Sequence, residues 1–104
     1  MMSEAEIQRS IVEWAREHPE RVPCLFRVNC GVFRSMTGNI VHGAPKGTPD
    51  LIGYLPDGRM LAVEVKTFKG RFSPEQIEWR RKALDCNVKV IGARSLGEFV
   101  AALE

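Results

Sequence analysis

Residues 51–66 carry the pattern that most limits the fold of this chain. Two short apolar runs, 51–55 and 60–66, flank the segment Pro56-Asp57-Gly58, which is a strong turn signal. Proline sets the backbone angle of the first loop position, and glycine accepts the left-handed conformation that closes a three-residue loop. The pattern therefore predicts a β-hairpin in which Leu55 pairs with Arg59.

This register places three charged groups on one face of the hairpin. Asp50 lies directly opposite Glu64, and Lys66 points the same way as Glu64 because side chains alternate along a strand. Opposed carboxylates with β-carbons about 5 Å apart repel each other. A divalent cation removes that repulsion, since Mg²⁺ prefers oxygen ligands and usually takes one or two protein carboxylates. The register therefore predicts a metal site.

Such a site favours phosphoryl chemistry. A bound divalent cation activates water near neutral pH and stabilises charge on a phosphoryl oxygen. Lys66 would orient the water or neutralise the growing charge. The alternative is an ordinary solvated strand face for Glu64 and Lys66, with Asp50 as a turn residue after Pro49. The clustering of charges in register favours the site.

The order and spacing of three motifs resemble the PD-(D/E)XK nuclease superfamily, and within it the small stand-alone VRR-NUC domains of phages and bacteria. The motifs are Gly47-Thr48-Pro49-Asp50, Glu64-Val65-Lys66 and Ser73-Pro74-Glu75-Gln76. The resemblance spans nearly the whole chain. It implies an α/β core of order αβββαβ, here followed by a C-terminal helix, with a small mixed sheet flanked by helices.

The resemblance also implies roles for individual residues. Asp50 and Glu64 match metal ligands for Mg²⁺ or Mn²⁺, and Lys66 matches the catalytic lysine. We expect the carbonyl group of Val65 to be a further metal ligand. Gln76 matches a glutamine found near the site and is a catalytic candidate. However, Gln76 also occupies the capping-box position of a helix that begins at Ser73, so helix capping explains it equally.

The first helix offers one more acidic candidate. Ser3 and Glu6 form a capping box ahead of apolar residues at helical spacing. In the superfamily that the chain resembles, a glutamate of the first helix often completes the site. Because Glu6 serves the cap, we assign this metal-binding role to Glu4. A favourable charge in the first helical turn explains Glu4 equally well.

Local signals predict the remaining elements. Proline and glycine punctuate the chain between short apolar runs, and asparagine tolerates a left-handed conformation. The predicted elements are a strand over 25–29 that continues past Gly31 toward Phe33, a loop over 37–48, a helix stop at Asn87, a strand over 88–91 and a final helix from Ser95.

Basic residues lie around the predicted site. A formal net charge of +2 permits nucleic-acid binding without proving it, so their distribution matters more. The candidates for DNA contact are Arg27, His42, Lys46, Lys69 and Arg71. Simple exposure is the alternative for His42. The basic residues 80–82 are interpreted as a solvated helix face, because cations late in a helix complement its dipole.

Composition bounds the class of protein. The 104 residues, 44% of them hydrophobic and 27% charged, fit one globular domain over 1–104. Cys24, Cys30 and Cys86 form no paired motif, which argues against zinc and a disulfide framework and favours a reducing cytosol. Nothing resembles a signal peptide or a membrane span, so we expect a cytoplasmic protein of a bacterium or a phage-infected cell.

The predicted function is metal-dependent hydrolysis of DNA phosphodiester bonds by an endonuclease. Isolated VRR-NUC domains are similar to Holliday junction resolvases, which implies branched DNA as substrate and a homodimer that supplies two sites. One alternative is a nuclease for flaps or other replication and repair intermediates. The others are a non-catalytic DNA-binding module and a small oligomerising protein without a nucleic-acid role.

Overall fold

The computed structural model describes residues 2–29 and 32–104, which form three helices and six strands. None of these helices is long and apolar enough to cross a membrane. Cys30 and Gly31, across which the first strand is predicted to continue, lie outside the described residues. The elements are α1 (Glu4–Glu17), β1 (Cys24–Arg27), β2 (Val32–Arg34), β3 (Ile40–His42), β4 (Leu51–Tyr54), β5 (Met60–Val65), α2 (Pro74–Asp85), β6 (Lys89–Ala93) and α3 (Leu96–Ala102).

A four-stranded mixed sheet is the centre of the fold. Its strand order is β1-β4-β5-β6, with antiparallel pairing as far as β5 and a parallel pairing of β5 with β6. The predicted α/β class, with a small mixed sheet flanked by helices, is confirmed. Strand β5 has a neighbour on both sides and is buried from Leu61 to Val65.

The β4–β5 hairpin has the predicted register. Leu51 pairs with Val63 and Tyr54 with Met60, and the Leu55 N–H donates to the Arg59 carbonyl at 2.9 Å. Gly58 closes the turn with a φ of 90°, which is the left-handed conformation that favours glycine. If the ladder is continued by one step beyond the Leu51–Val63 pair, Asp50 lies opposite Glu64.

Helices α1 and α3 pack on one face of the sheet. The capping box of Ser3 and Glu6 is confirmed, and it starts α1 so that one stripe of the helix faces inward. Apolar side chains of both helices and four strands form a single core on this face. The buried members of that core are Ile7, Ile11, Ala15, Val22, Leu51, Leu61, Val63, Val65, Ile91, Ala93 and Phe99.

Helix α2 lies against the opposite face of β6. A β-carbon added to Gly92 would come within 2.8 Å of Arg80 Nη2, whereas the flanking Ile91 and Ala93 belong to the core on the other face. Ser73 caps α2 with the predicted capping box. Asn87 ends it with a φ of 63°, as predicted for a left-handed stop.

The segment before the hairpin differs from the prediction. Residues 40–42, predicted as part of a loop, form β3, which pairs with β2 in a separate two-stranded antiparallel sheet. The turn between them is closed by Ser35, whose N–H donates to the Asn39 carbonyl at 2.7 Å. Three-residue strands between glycines carry too short an apolar pattern to predict. The last strand likewise runs to Ala93, two residues beyond its predicted end.

Gly53→Ala should destabilise the sheet severely, because a β-carbon at Gly53 would lie 1.8 Å from the carbonyl oxygen of Cys24. Strands on both sides of Gly53 prevent it from moving away. We expect a loss of about 3 kcal/mol in unfolding free energy, measured by chemical denaturation. The control is Gly97→Ala in α3, where the nearest atom is 3.8 Å from the added carbon. The control should gain up to about 1 kcal/mol from helix propensity. Equal stabilities would contradict the close approach of β1 and β4.

Candidate active site

The hairpin register brings the predicted acidic residues together. Asp50 lies one residue before β4, and its Oδ2 accepts a hydrogen bond of 2.8 Å from the Val65 N–H of β5. Glu64 is next to Val65 and one ladder step from the Leu51–Val63 pair. Asp50 is therefore tied to the backbone of β5 beside Glu64, which is the juxtaposition that the sequence predicts.

Glu64 is buried in a strand that is otherwise apolar. Only 5% of the residue is exposed, and it pairs in register with Gly92 of β6. Burial raises the pKa of the Glu64 carboxyl to about 9, and a hydrogen bond with Asp50 and the charge of Asp50 act in the same direction. Without a cation, Glu64 keeps a proton near neutral pH and thereby avoids charge repulsion with Asp50.

Lys66 is a basic residue whose charge acts on the Glu64 carboxyl group. Its charge lowers the pKa of Glu64, which opposes the effect of burial. The backbone N–H of Lys66 donates to the Ala93 carbonyl at 3.0 Å, and its Nζ lies 6.0 Å from the centroid of the Phe72 ring. The sheet and an aromatic side chain therefore position Lys66 directly after the end of β5, where its charge acts on Glu64.

Glu4 lies near the pair but does not form a ligand cluster with it. Glu4 is exposed in the first turn of α1, and its charge contributes to the raised pKa of Glu64. Within residues 2–29 and 32–104, no three acidic, histidine or cysteine side chains come together as a metal-binding group. Glu6 is used by the cap, since its Oε1 accepts the Ser3 N–H at 3.0 Å. Glu4 is thus the helix glutamate that faces the pair.

Gln8 is a candidate that the sequence analysis did not identify. It lies one helical turn after Glu4, is only 8% exposed, and its Oε1 has no hydrogen-bond partner among the described residues. A buried amide oxygen without a partner costs about 1–3 kcal/mol, so this oxygen is a candidate acceptor for a bound water or ligand. The signal available in the sequence was a polar residue on the inward stripe of α1, next to Ile7.

Gln76 performs the capping role predicted as its alternative. Its Oε1 accepts the Ser73 N–H at 2.7 Å, and its own N–H donates to Ser73 Oγ at 3.2 Å. The amide oxygen is therefore engaged at the start of α2. The amide nitrogen and the second lone pair of Oε1 are left for other contacts, and a catalytic role for Gln76 stays a prediction.

The predicted DNA-contact residues lie on the surface of the protein. Lys46 forms an exposed ion pair with Glu75, at 3.5 Å. None of the other candidates has an ion-pair partner within the part of the chain that the structure describes. These exposed candidates are Arg27, His42, Lys69 and Arg71. His42 lies on β3 rather than in the predicted loop.

The basic run 80–82 is not one uniform solvated face. Arg81 is exposed and forms ion pairs with Glu78 at 2.7 Å and Asp85 at 3.6 Å, as expected for a helix surface. Arg80 is half-buried, and its Cζ lies 5.0 Å from the centroid of the Phe72 ring. The interpretation as a solvated face is therefore wrong for Arg80, because its side chain is half-buried with the guanidinium over an aromatic ring.

The carboxylate pair and the lysine lie where β4 begins and β5 ends, in a helix-flanked mixed sheet, an arrangement typical of a nuclease-type α/β domain. A family model described as the VRR-NUC domain matches residues 2–96 of the 104-residue chain. The chain belongs to this family, whose fold is PD-(D/E)XK-like, and the predicted membership is confirmed. Comparisons with curated proteins and with solved structures found no match.

The raised pKa of Glu64 predicts how stability depends on pH. Folding raises the pKa of Glu64 from 4.5 to about 9, so the folded chain binds this proton more tightly. The resulting stabilisation is complete below the unfolded pKa and is lost as the pH rises through about 9. In metal-free buffer, we expect the contribution of Glu64 to the unfolding free energy to fall from about pH 4.5 to about pH 9.

The neutral variant Glu64→Gln should flatten this dependence, measured by denaturant unfolding at several pH values. The exposed Glu13 on α1 provides the control, since Glu13→Gln should keep the slope of the wild type. A slope that is equal in all three proteins would show that Glu64 does not hold its proton.

Proposed function

We propose that this protein is a divalent-metal-dependent endonuclease that hydrolyses phosphodiester bonds in DNA. Membership of the VRR-NUC family establishes a nuclease-type domain, and nucleases of this family generally depend on a divalent metal. The observation that carries the proposal is the buried Glu64 beside Asp50, with the charge of Lys66 acting on Glu64. Two adjacent carboxylates in a low-dielectric environment are stable only with a shared proton or a bound cation.

The donor atoms fit Mg²⁺ or Mn²⁺. The proposed ligands are the carboxylates of Asp50 and Glu64 and the carbonyl oxygen of Val65. All of these are oxygen atoms, and a set with only two carboxylates suits an ion that keeps several waters. When bound, the cation would activate water and stabilise charge on the phosphoryl oxygens. Glu4 is proposed to contribute from α1 through its charge rather than as a fixed ligand.

Each residue of the site would have a distinct task. The Val65 N–H holds one carboxylate oxygen of Asp50 in place and leaves the other available. Glu64 would lose its proton when it binds the cation, since a ligand carboxylate must be ionised. Lys66 would orient the attacking water or neutralise charge in the transition state. The unpaired Oε1 of Gln8 would accept a hydrogen bond from a water molecule at the site.

We propose branched DNA, in particular the four-way junction, as the preferred substrate. One small domain supplies one site, and symmetric cleavage of a junction requires two, so the proposal includes a homodimer. An apolar surface supports self-association, since Phe26 and Tyr54 are each 52% exposed on the face of the sheet that α1 and α3 leave uncovered. Arg27, His42, Lys69 and Arg71 would contact the DNA backbone from the surrounding surface, with Lys46 joining them if its pair with Glu75 opens.

Cleavage of end-labelled junction, flap and linear duplex with Mg²⁺ or Mn²⁺ tests this proposal. The wild type should cut junction strands in symmetric pairs, and Asp50→Ala and Lys66→Ala should each lower the rate at least about a hundredfold. The control is Lys89→Ala, at the far end of the β5–β6 ladder, which should retain activity. Light scattering should give the mass of a dimer.

Three outcomes would change the assignment. A monomer that cuts all three DNAs equally would remove the junction proposal but retain the nuclease. Preferential cutting of flaps would favour a repair or replication nuclease. Salt-sensitive binding to DNA without cleavage in either metal would establish a non-catalytic binding module instead.

Metal binding has a separate prediction, with thermal unfolding as its measurement. A ligand that binds only the folded chain raises the melting temperature. Mg²⁺ or Mn²⁺ should therefore stabilise the wild type, with a larger effect at higher pH because Glu64 must lose its proton. Asp50→Asn and Glu64→Gln should abolish the shift. The control Asp57→Asn, in the exposed turn, should keep it. An equal shift in all variants would place the metal elsewhere.

A further inference from the structure

Three cations surround the aromatic ring of Phe72. Lys66 Nζ lies 6.0 Å from the ring centroid, Arg80 Cζ lies 5.0 Å from it, and Arg94 Cζ lies 6.0 Å from it. Phe72 is half-buried in the segment between β5 and α2. The face of an aromatic ring attracts a cation within about 6 Å. This ring therefore holds positive charge directly beside the candidate active site.

The position of Gly92 brings this cluster close to Glu64. A β-carbon at Gly92 would lie 2.8 Å from both Arg80 Nη2 and Phe72 Cζ, so the ring and the guanidinium occupy the space above this glycine. Gly92 pairs in register with Glu64. Neighbouring strands lie about 4.8 Å apart. The Arg80 guanidinium, reaching from α2, therefore lies over β6, the strand next to Glu64, on the same face of the sheet as the buried carboxyl group.

The three cations differ in their hydrogen-bond and ion-pair partners. The Arg94 guanidinium donates to the carbonyl groups of Thr67 and Phe68 and, at 2.8 Å, of Gly70, which fixes the turn after β5. Lys66 already has a proposed role in the reaction. Arg80 has neither an ion-pair nor a hydrogen-bond partner within residues 2–29 and 32–104, although its side chain is half-buried on Phe72.

Neighbouring acids do not neutralise Arg80. The acidic side chains Glu78 and Asp85 on α2 both pair with Arg81 instead. The Phe72 ring lies under the Arg80 guanidinium, and no described residue accepts a hydrogen bond from its N–H groups. A preorganised guanidinium with free donors matches the geometry of a phosphate, to which arginine donates two parallel hydrogen bonds.

We propose that Arg80 binds a phosphate group of the DNA strand that enters the active site, with Phe72 and Gly92 holding its guanidinium in place. This inference rests on the proposed nuclease function, because it names a substrate-binding residue for the same site. The phosphate would lie across Arg80 and Lys66, so that both cations stabilise negative charge close to Asp50 and Glu64. Arg80 would align the strand for cleavage, while Lys66 would act in the reaction itself.

The test compares Arg80→Gln with Arg81→Gln, two charge removals on neighbouring residues of one helix. Binding of a fluorescent DNA duplex, measured by anisotropy over a range of salt concentrations with Ca²⁺, reports phosphate contacts. Arg80→Gln should weaken binding roughly tenfold. It should also lower the magnitude of the salt slope by about 0.9, which is the loss of one phosphate contact. Arg81→Gln should change neither quantity by a comparable amount, since Arg81 is paired with acids.

Steady-state cleavage with Mg²⁺ and a melting curve separate a substrate contact from a structural role. Arg80→Gln should raise KM more than it lowers kcat, with little change in melting temperature. Arg80→Lys keeps the charge but loses the two-donor geometry, so it should keep the salt slope and show an intermediate KM. This second variant keeps the inference testable if Arg80→Gln does not fold.

The outcomes distinguish this inference from the proposed function. If the wild type neither binds nor cleaves DNA, the proposed function fails and the inference fails with it. If the wild type does both, and Arg80→Gln matches Arg81→Gln in KM and in salt slope, only the role of Arg80 is overturned. A folded Arg80→Lys with the KM of the wild type would show that two-donor recognition of a phosphate does not occur.

Discussion

The hydrogen bond from the Val65 N–H to the Asp50 carboxylate joins the fold to the site. It ties the start of β4 to the end of β5, at the point where their ladder ends, and it keeps Asp50 beside the protonated Glu64. A slip of one residue in this hairpin would turn Glu64 toward the core and Val63 away from it. The register that buries the apolar side chains is therefore the same register that assembles the carboxylate pair.

The core compensates for the unfavourable burial of Glu64. Desolvation disfavours the charged form of this carboxyl group, so its burial in the hairpin lowers the stability of the fold. On the opposite face of the same strands, Leu61 and Val63 are fully buried and pack in one cluster with Ile11 of α1. The two faces of the hairpin thus have separate tasks. One face stabilises the sheet, and the other holds charges that only a proton or a cation makes stable.

Local rules of turn chemistry, capping and alternation predicted the hairpin register, the starts of the helices and the Asp50–Glu64 pair, because each depends on residues close in sequence. They missed the β2–β3 sheet, whose strands are three residues long and lie between glycines. They also missed Gln8, since a polar residue on a helix is ordinary until packing buries its amide oxygen. The pattern of α1 places Gln8 on the inward stripe, but the lack of a partner for its amide oxygen depends on contacts between distant segments.

Three arginines also show which features depend on neighbours in the sequence and which depend on distant segments. In the sequence, Arg80 and Arg81 are adjacent and equally basic, yet acids one turn away in the helix neutralise only Arg81. Arg94 lies far along the chain and is fixed by the carbonyl groups of the 67–70 turn. Net charge therefore says little about which cation is available to a phosphate. A cation is available to a phosphate only if other groups do not already occupy its hydrogen-bond donors. Arg80 meets this condition, because it contacts the Phe72 ring and leaves its N–H groups free of partners among the described residues.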